Sequence, residues 1–231
     1  MLERQIKIYV TTVLRETPSR DITGFLLELD WYENSVVKRV AIPLNSGHCF
    51  WNKRGGNRGG RGIAVFDNII YVATATSILK YDLQFKRIGE ITHPYAVGIH
   101  EILVDKEGIW ITATLHDLII KLDFEGSTLD EWWGSQSVLL KKKFGFRGRK
   151  LNLDLTFSNG RFSKGYDRYC KQEILHVNTV SEYEGSVYAF SCRKNCLLKI
   201  RPSPEEVILV DNRLEAPHNG LVTRDGRVVI N

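Results

Sequence analysis

Four segments of the chain repeat one pattern, and that repeat limits the fold more than any other feature of the sequence. They are "RGIAVFDNIIYVATATSILKYD" from Arg61, "HEILVDKEGIWITATLHDLIIKLD" from His100, "HVNTVSEYEGSVYAFSCRKNCLLKI" from His176 and "HNGLVTRDGRVVIN" from His218. Each copy opens on a polar residue and a short apolar strand, then turns at "FDN", "DKEG", "SEYEG" or "TRDG". A second strand follows ("IIYVAT", "IWITAT", "SVYAFS", "RVVIN"), and the three longer copies continue into a third ("ILKYD", "IIKLD", "LLKIR") and a fourth ("FKRIGEITH", "TLDEWW", "EEVILVDN"). Asp-Asn or Gly at the turns supplies the positive φ that tight hairpins require. The β-branched and aromatic runs between them read as buried strands.

Antiparallel strands recurring in fours at about forty residues are the signature of a β-propeller blade. Arg61 to His100 spans 39 residues, His100 to His176 spans 76 and His176 to His218 spans 42. The long middle interval holds an inter-blade insertion at 134–172, which carries no blade pattern. Ahead of the first copy, "QIKIYVTT", "GFLLELDW" and "SVVKRVAIP" supply the second, third and fourth strands of an earlier blade. The expectation is an all-β protein, one propeller domain over 1–231 built of four-stranded antiparallel blades, with about four and a half blades present. "GRVVIN" reads as an interrupted blade, and the chain as an incomplete form of a six-bladed ring, with a ring of five blades as the alternative.

Charge and cysteine usage exclude several classes. The net charge of +5 is local: "KKKFGFRGRK" (141–150) carries six basic residues and 52–62 four more, leaving about −5 for the remainder. No segment reaches the roughly 18 apolar residues of a membrane span, and the first residues lack the apolar core of a signal peptide. The four cysteines are too few and too irregularly spaced for a secreted disulfide framework, so they read as reduced thiols in a cytoplasmic protein. "CRKNC" has no second Cys/His pair to complete a zinc site. There is no P-loop, no G-x-S-x-G and no dinucleotide fingerprint.

The first residue of an innermost strand sits at the mouth of a propeller's central channel. Arg61, His100, His176 and His218 are therefore expected to converge there, beside Glu101, Asn178 and Asn219. Three of the six histidines fall at one repeat offset. Imidazole ligates metals as a neutral nitrogen, donates hydrogen bonds and moves protons near neutrality. Three of them around one axis suit Zn²⁺, Fe²⁺ or Mn²⁺, with Glu101 as a further ligand or base. The candidate catalytic residues are thus His100, Glu101, His176 and His218, and the candidate metal ligands His100, His176 and His218. The plainer alternative is that these side chains only hydrate the channel.

The stretch "NKRGGNRGGRG" (52–62) looks like an RNA-binding Gly/Arg tail but runs straight into a first strand, which makes it a channel-mouth loop. Its glycines allow close turns and N–H groups facing an anion. Arg54, Arg58 and Arg61 are candidate bidentate donors to carboxylate or phosphate, with Asn178 and Asn219 as further ligand-binding residues. A solvated glycine loop is the alternative. "KKKFGFRGRK" mixes basic and aromatic residues as single-strand binders do. It reads first as a solvated or partner-docking loop, with RNA binding the minor alternative. His116–Asp117 reads as an outer hairpin remote from the axis. Tyr71, Trp110, Tyr188, Trp132 and Trp133 read as inter-blade packing.

The pattern "H-x-I-x-V-x5-W-x-T-x-T…I-x-K-x-D" resembles the propellers of the NHL, SMP-30/gluconolactonase and virginiamycin B lyase group. It is more similar still to bacterial six-bladed propellers bearing "HEI", "HVN" and "HNG" at successive blade starts. The resemblance covers nearly the whole chain outside 134–172. It implies an axial divalent ion, held in SMP-30 and the lyases largely by Glu, Asn and Asp, so the histidines here are a departure that leaves the metal open. The resemblance bears on fold more than on function; the axial residues themselves point to a polar pocket for a small anionic molecule, with hydrolase or lyase chemistry assisted by a metal as the first reading. A non-catalytic propeller that binds a protein or small ligand is the alternative.

Overall fold

The hairpin turns govern the architecture. Asp67 and Asn68 (φ 47° and 60°) and Glu184 and Gly185 (φ 49° and 73°) all take left-handed backbone, the conformation of a type I′ turn whose twist matches that of the strands it joins. The computed structural model describes residues 6–14, 22–43, 59–147, 173–215, 217–223 and 225–230. In these residues the sheets follow one another along the chain. The first comprises β1 (Lys7–Thr11), β2 (Ile22–Asp30) and β3 (Ser35–Pro43). The second comprises β4 (Ile63–Phe66), β5 (Ile69–Ala73), β6 (Ser77–Asp82) and β7 (Arg87–Thr92). The third comprises β8 (Ile99–Val104), β9 (Ile109–Ala113), β10 (Leu118–Leu122) and β11 (Thr128–Trp133). The fourth comprises β12 (Val177–Tyr183), β13 (Ser186–Ser191), β14 (Cys196–Arg201) and β15 (Glu206–Val210), and β16 (Leu221–Val222) with β17 (Val228–Val229) forms the last. Every sheet is an antiparallel meander in chain order, and the protein is an all-β propeller.

The Asp at the end of the third strand in the first three blades has a local cause, while the fourth has Arg201 at that place. Asp30, Asp82 and Asp123 each accept two backbone N–H bonds through Oδ1, from Tyr32 and Glu33, Gln84 and Lys86, and Glu125 and Ser127. Each carboxylate thereby closes the turn into its fourth strand, as Asp does in Asx turns.

The second and third strands of the third blade are buried along their whole length. Both faces of that blade are covered by neighbours, so its strands run apolar rather than alternating. The cores lie between blades. Leu26 and Ile42 of the first sheet pack on Ile70, Val72, Leu79 and Tyr81 of the second. Tyr71 and Ile78 pack with Ile111, Ile120 and Trp133 between the second and third. Trp110, Ile119 and Trp132 pack with Val180, Ala189 and Leu198 between the third and fourth. Trp132 and Trp133 are consecutive on β11 and so face opposite sides of their blade, each filling a different interface. The first strands β4, β8, β12 and β16 are successive neighbours and form the inner wall.

Two expectations need correction. The stretch after β11 is not a bare loop: Val138–Phe144 forms the helix α1, with the Ser137 side chain accepting from Leu140 N and Gly145 closing the end at φ 67°. Leu140 is fully buried among the residues between the third and fourth blades, and Lys141, Lys142 and Lys143 ride on this helix. Residues 148–172 lie outside the described residues. Among the described residues, no helix is long and apolar enough to cross a membrane.

The second correction concerns the alternative of a solvated glycine loop, which fails for "RGGRG": Gly59, Gly60 and Gly62 are buried. A Cβ on Gly62 would stand 2.7 Å from Ile102 N and 2.9 Å from the Glu101 Cα, so only hydrogen lets β4 approach β8 this closely. Gly62→Ala is accordingly expected to destabilise the protein by about 1–3 kcal/mol through overpacking and to disturb the adjoining His100–Glu101 segment. Thermal denaturation with and without an axial ligand measures both effects; an unchanged melting temperature would show that the strands are not in contact.

Candidate functional site

A bulge aims the first imidazole. In β8 the pairing with β9 slips between Ile99 and Ile102, and the N–H groups of His100 and Glu101 both donate to Thr112 Oγ1, at 3.0 and 2.9 Å. Bulges turn a side chain away from the ladder, and this one serves His100. The His100 Nδ1 lies 2.8 Å from Gly98 O.

His176 precedes β12 in left-handed backbone, φ 51°. Its N–H donates to Asp117 Oδ1 at 2.9 Å, as does that of Leu175 at 3.1 Å, while Ile174 N donates to Asp117 Oδ2 at 2.6 Å. Asp117 belongs to the turn between β9 and β10 of the previous blade, so the third blade holds the first residues of the fourth. Thr114 adds a bond from Oγ1 to Val177 O at 2.6 Å. His218 follows the same logic one blade on: Asn178 Nδ2 donates to Pro217 O at 3.0 Å.

The result is convergence. The rings of His100 and His176 are 5.1 Å apart, and His218 stands 6.4 and 6.3 Å from them. One nitrogen from each ring falls in a group whose members all lie within 4.8 Å of one another. Beside it opens a cavity of about 370 Å³ lined by Arg61, His100, Glu101, Asn178, His218 and Asn219. Arg54 and Arg58 lie outside the described residues.

Burial sets the charge states here. Desolvation, with the nearby charges of Arg61, His176 and His218, holds the His100 pKa well below the ordinary imidazole value, against the pull of the Gly98 carbonyl. Desolvation also lifts the Glu101 carboxyl to about 7, opposed by the Ile102 N–H that it accepts. Near neutrality the site thus offers a neutral imidazole and a carboxyl able to give or take a proton. Asp117 is likewise raised by burial to about 6, against its three N–H donors.

Three contributors escaped the sequence reading. Asp117 is not remote from the axis, because it positions the main chain of His176. Glu173 accepts from His176 Nδ1 at 3.0 Å, and Arg193, inside the "CRKNC" hairpin, binds Glu173 in turn at 2.6 Å. Only the spacing of Glu173, three residues ahead of a blade-start histidine, could have flagged it.

No protein-family model and no curated protein matches the chain. Solved structures do. Virginiamycin B lyase from Staphylococcus aureus aligns at a TM-score of 0.51 and 10% identity, over 98% of this chain and 67% of that one. A protein of unknown function from Bacteroides caccae aligns at 0.54 and 9%, over 98% and 65%. The Pan2 WD40 domain of Neurospora crassa aligns at 0.51 and 9%, over 96% and 60%. At these identities the likeness shows the propeller fold alone, and the chain spans about two thirds of the length of the first two.

Replacing the Asp117 carboxylate tests the inter-blade hold. Asp117→Ala strands three N–H groups, at about 1–3 kcal/mol for each buried donor left unpaired, so a loss of about 3 kcal/mol or more is expected. Asp117→Asn keeps one acceptor oxygen and should cost less. Chemical denaturation measures the difference; equal, small effects would mean that these bonds do not hold the fourth blade.

Proposed function

We propose that this propeller binds a divalent transition metal on His100, His176 and His218 and, beside it, a small anionic ligand, on which it performs hydrolase- or lyase-type chemistry. The observation that carries the reading is the gathering of three imidazoles from three consecutive blades, with ring nitrogens within 4.8 Å. Imidazole bonds to such ions are about 2.0–2.1 Å long, so three nitrogens around one ion stand roughly 3.3–3.5 Å apart, and the rings must draw in by about 1 Å to share it. The donor set is all nitrogen, which suits Zn²⁺, Fe²⁺ or Co²⁺ better than Mg²⁺ or Ca²⁺. A bound ion would act as a Lewis acid toward an anionic oxygen or a water.

The chain's own groups divide the remaining work. Arg61 supplies a permanent cation with paired donors for carboxylate or phosphate. Glu101, with a pKa of about 7, is fitted to exchange a proton with the ligand. Asn219, exposed at the mouth, can hydrogen-bond the ligand as it enters. Asn178 lines the pocket, but its amide N–H is committed to Pro217 O, so it serves to hold the chain ahead of His218. The thiols of Cys192 and Cys196 are free, which accords with the proposed cytoplasmic setting.

Titration of the chelator-treated protein with Co²⁺ should reveal one ion per chain. His100→Ala or His176→Ala should abolish that uptake at a stability cost of about 1 kcal/mol or less, since neither ring fills an apolar core. Arg61→Ala should weaken binding of inorganic phosphate or citrate by about 1.5–3 kcal/mol, the worth of a charged hydrogen bond. Exchanging Lys141, Lys142 and Lys143 for Gln should change nothing. Absence of transition-metal uptake by the wild type sinks the reading. A salt-dependent affinity for single-stranded RNA, lost with those lysines, would replace it with nucleic-acid binding. Ion and anion binding without turnover on any ester, lactone or phosphate would identify a binding module.

A further inference from the structure

The groups behind the rings decide which nitrogen each histidine offers to the axis. His100 Nδ1 faces the Gly98 carbonyl and His176 Nδ1 faces the Glu173 carboxylate. Both partners only accept hydrogen bonds, so in the neutral form of each ring Nδ1 carries the proton and Nε2 keeps its lone pair. For His100 the partner is main chain, and no side-chain change alters it. For His176 it is a side chain that is itself held. Arg193 donates to Glu173 Oε1 at 2.6 Å and to the Glu173 backbone oxygen at 2.8 Å, and Glu173 is only 6% exposed.

We propose that Arg193 and Glu173 form a tautomer lock on His176: they keep its proton on Nδ1 and present Nε2 as the ligand. Metal uptake at the axis then depends on two residues that touch neither the ion nor the anion. The inference rests on the metal-centre reading above. Glu173 and Arg193 are positioning residues.

The lock has a specific consequence. A guanidinium only donates, so it draws an oxygen toward itself. In Glu173→Gln the amide oxygen must therefore face Arg193, which leaves the amide NH₂ facing His176 Nδ1. Nδ1 must then accept, the proton moves to Nε2, and an N–H points to where a cation would sit. Size and packing are unchanged, yet the ligand is lost. Removing Arg193 as well frees the amide to turn over, which returns its oxygen to Nδ1 and restores the lone pair on Nε2.

The experiment has two readouts. In the ¹⁵N-labelled, metal-free protein, ring ¹H–¹⁵N correlations should show the His176 proton on Nδ1 in the wild type, on Nε2 in Glu173→Gln, and back on Nδ1 in Glu173→Gln/Arg193→Leu. Co²⁺ titration should show about 10–100-fold weaker binding for Glu173→Gln, the usual effect of losing a ligand's hydrogen-bond partner, with most of it regained in the double variant. Three results overturn the lock: a wild-type His176 protonated on Nε2, Glu173→Gln binding Co²⁺ as tightly as wild type, or a double variant no better than the single one. The wild-type spectrum decides even if a variant fails to fold. Wild-type protein with the expected tautomer but no Co²⁺ uptake would refute the metal centre and leave the lock standing.

Discussion

Hydrogen bonds passed from one blade to the next hold the inner wall in place. The Ala75 carbonyl accepts from Gly98 and Ile99, Asp117 accepts from the three residues ending at His176, and Asn178 donates to Pro217. Each bond crosses a blade boundary and ends within two residues of an axial histidine. Apolar packing between blades is broad and tolerant of small slides, because it is non-directional. These bonds are directional and leave far less latitude, so they convert a stack of sheets into a defined arrangement of side chains.

One physical cause accounts for both unusual charge states of the pocket. Burial disfavours whichever form of a group is charged. It therefore pushes an imidazole toward neutrality by lowering its pKa and a carboxyl toward neutrality by raising it. His100 and Glu101 are consecutive and show the two directions side by side. A neutral imidazole has a lone pair to offer and a neutral carboxyl a proton to give, so one cause brings two different capacities to adjacent residues.

The fold was legible because its signals are local. Turn residues such as Asp67-Asn68, and strands apolar on both faces, announce hairpins buried between neighbours. The histidines were legible because, in a propeller, position within the repeat maps to distance from the axis. The supports of the site were not. Asp117 binds main-chain N–H groups, which leave no mark on the sequence of the segment they hold. Glu173 shares its place three residues ahead of a blade-start histidine with Glu215, but His100 has Val97 there and Arg193 has no counterpart, so the repeat marks these supports only faintly. Helix α1 was hidden for another reason: its capping residues, Ser137 and Gly145, lie in a segment judged only against a strand pattern, and a run of three lysines obscured its single buried face at Leu140.

Drawing the axial histidines from separate blades has a mechanical side. His100 and His176 are 76 residues apart and His176 and His218 are 42 apart. Anything that grips all three rings acts as a rivet through the hub, closing two long loops of chain at once. Any opening between the blades that carry them must first break the grip. Occupancy a hundredfold above the dissociation constant would oppose such opening by about 2.7 kcal/mol. If the proposed ion is what grips them, the rigidity of the inner wall becomes a quantity set by the surrounding concentration of free ion.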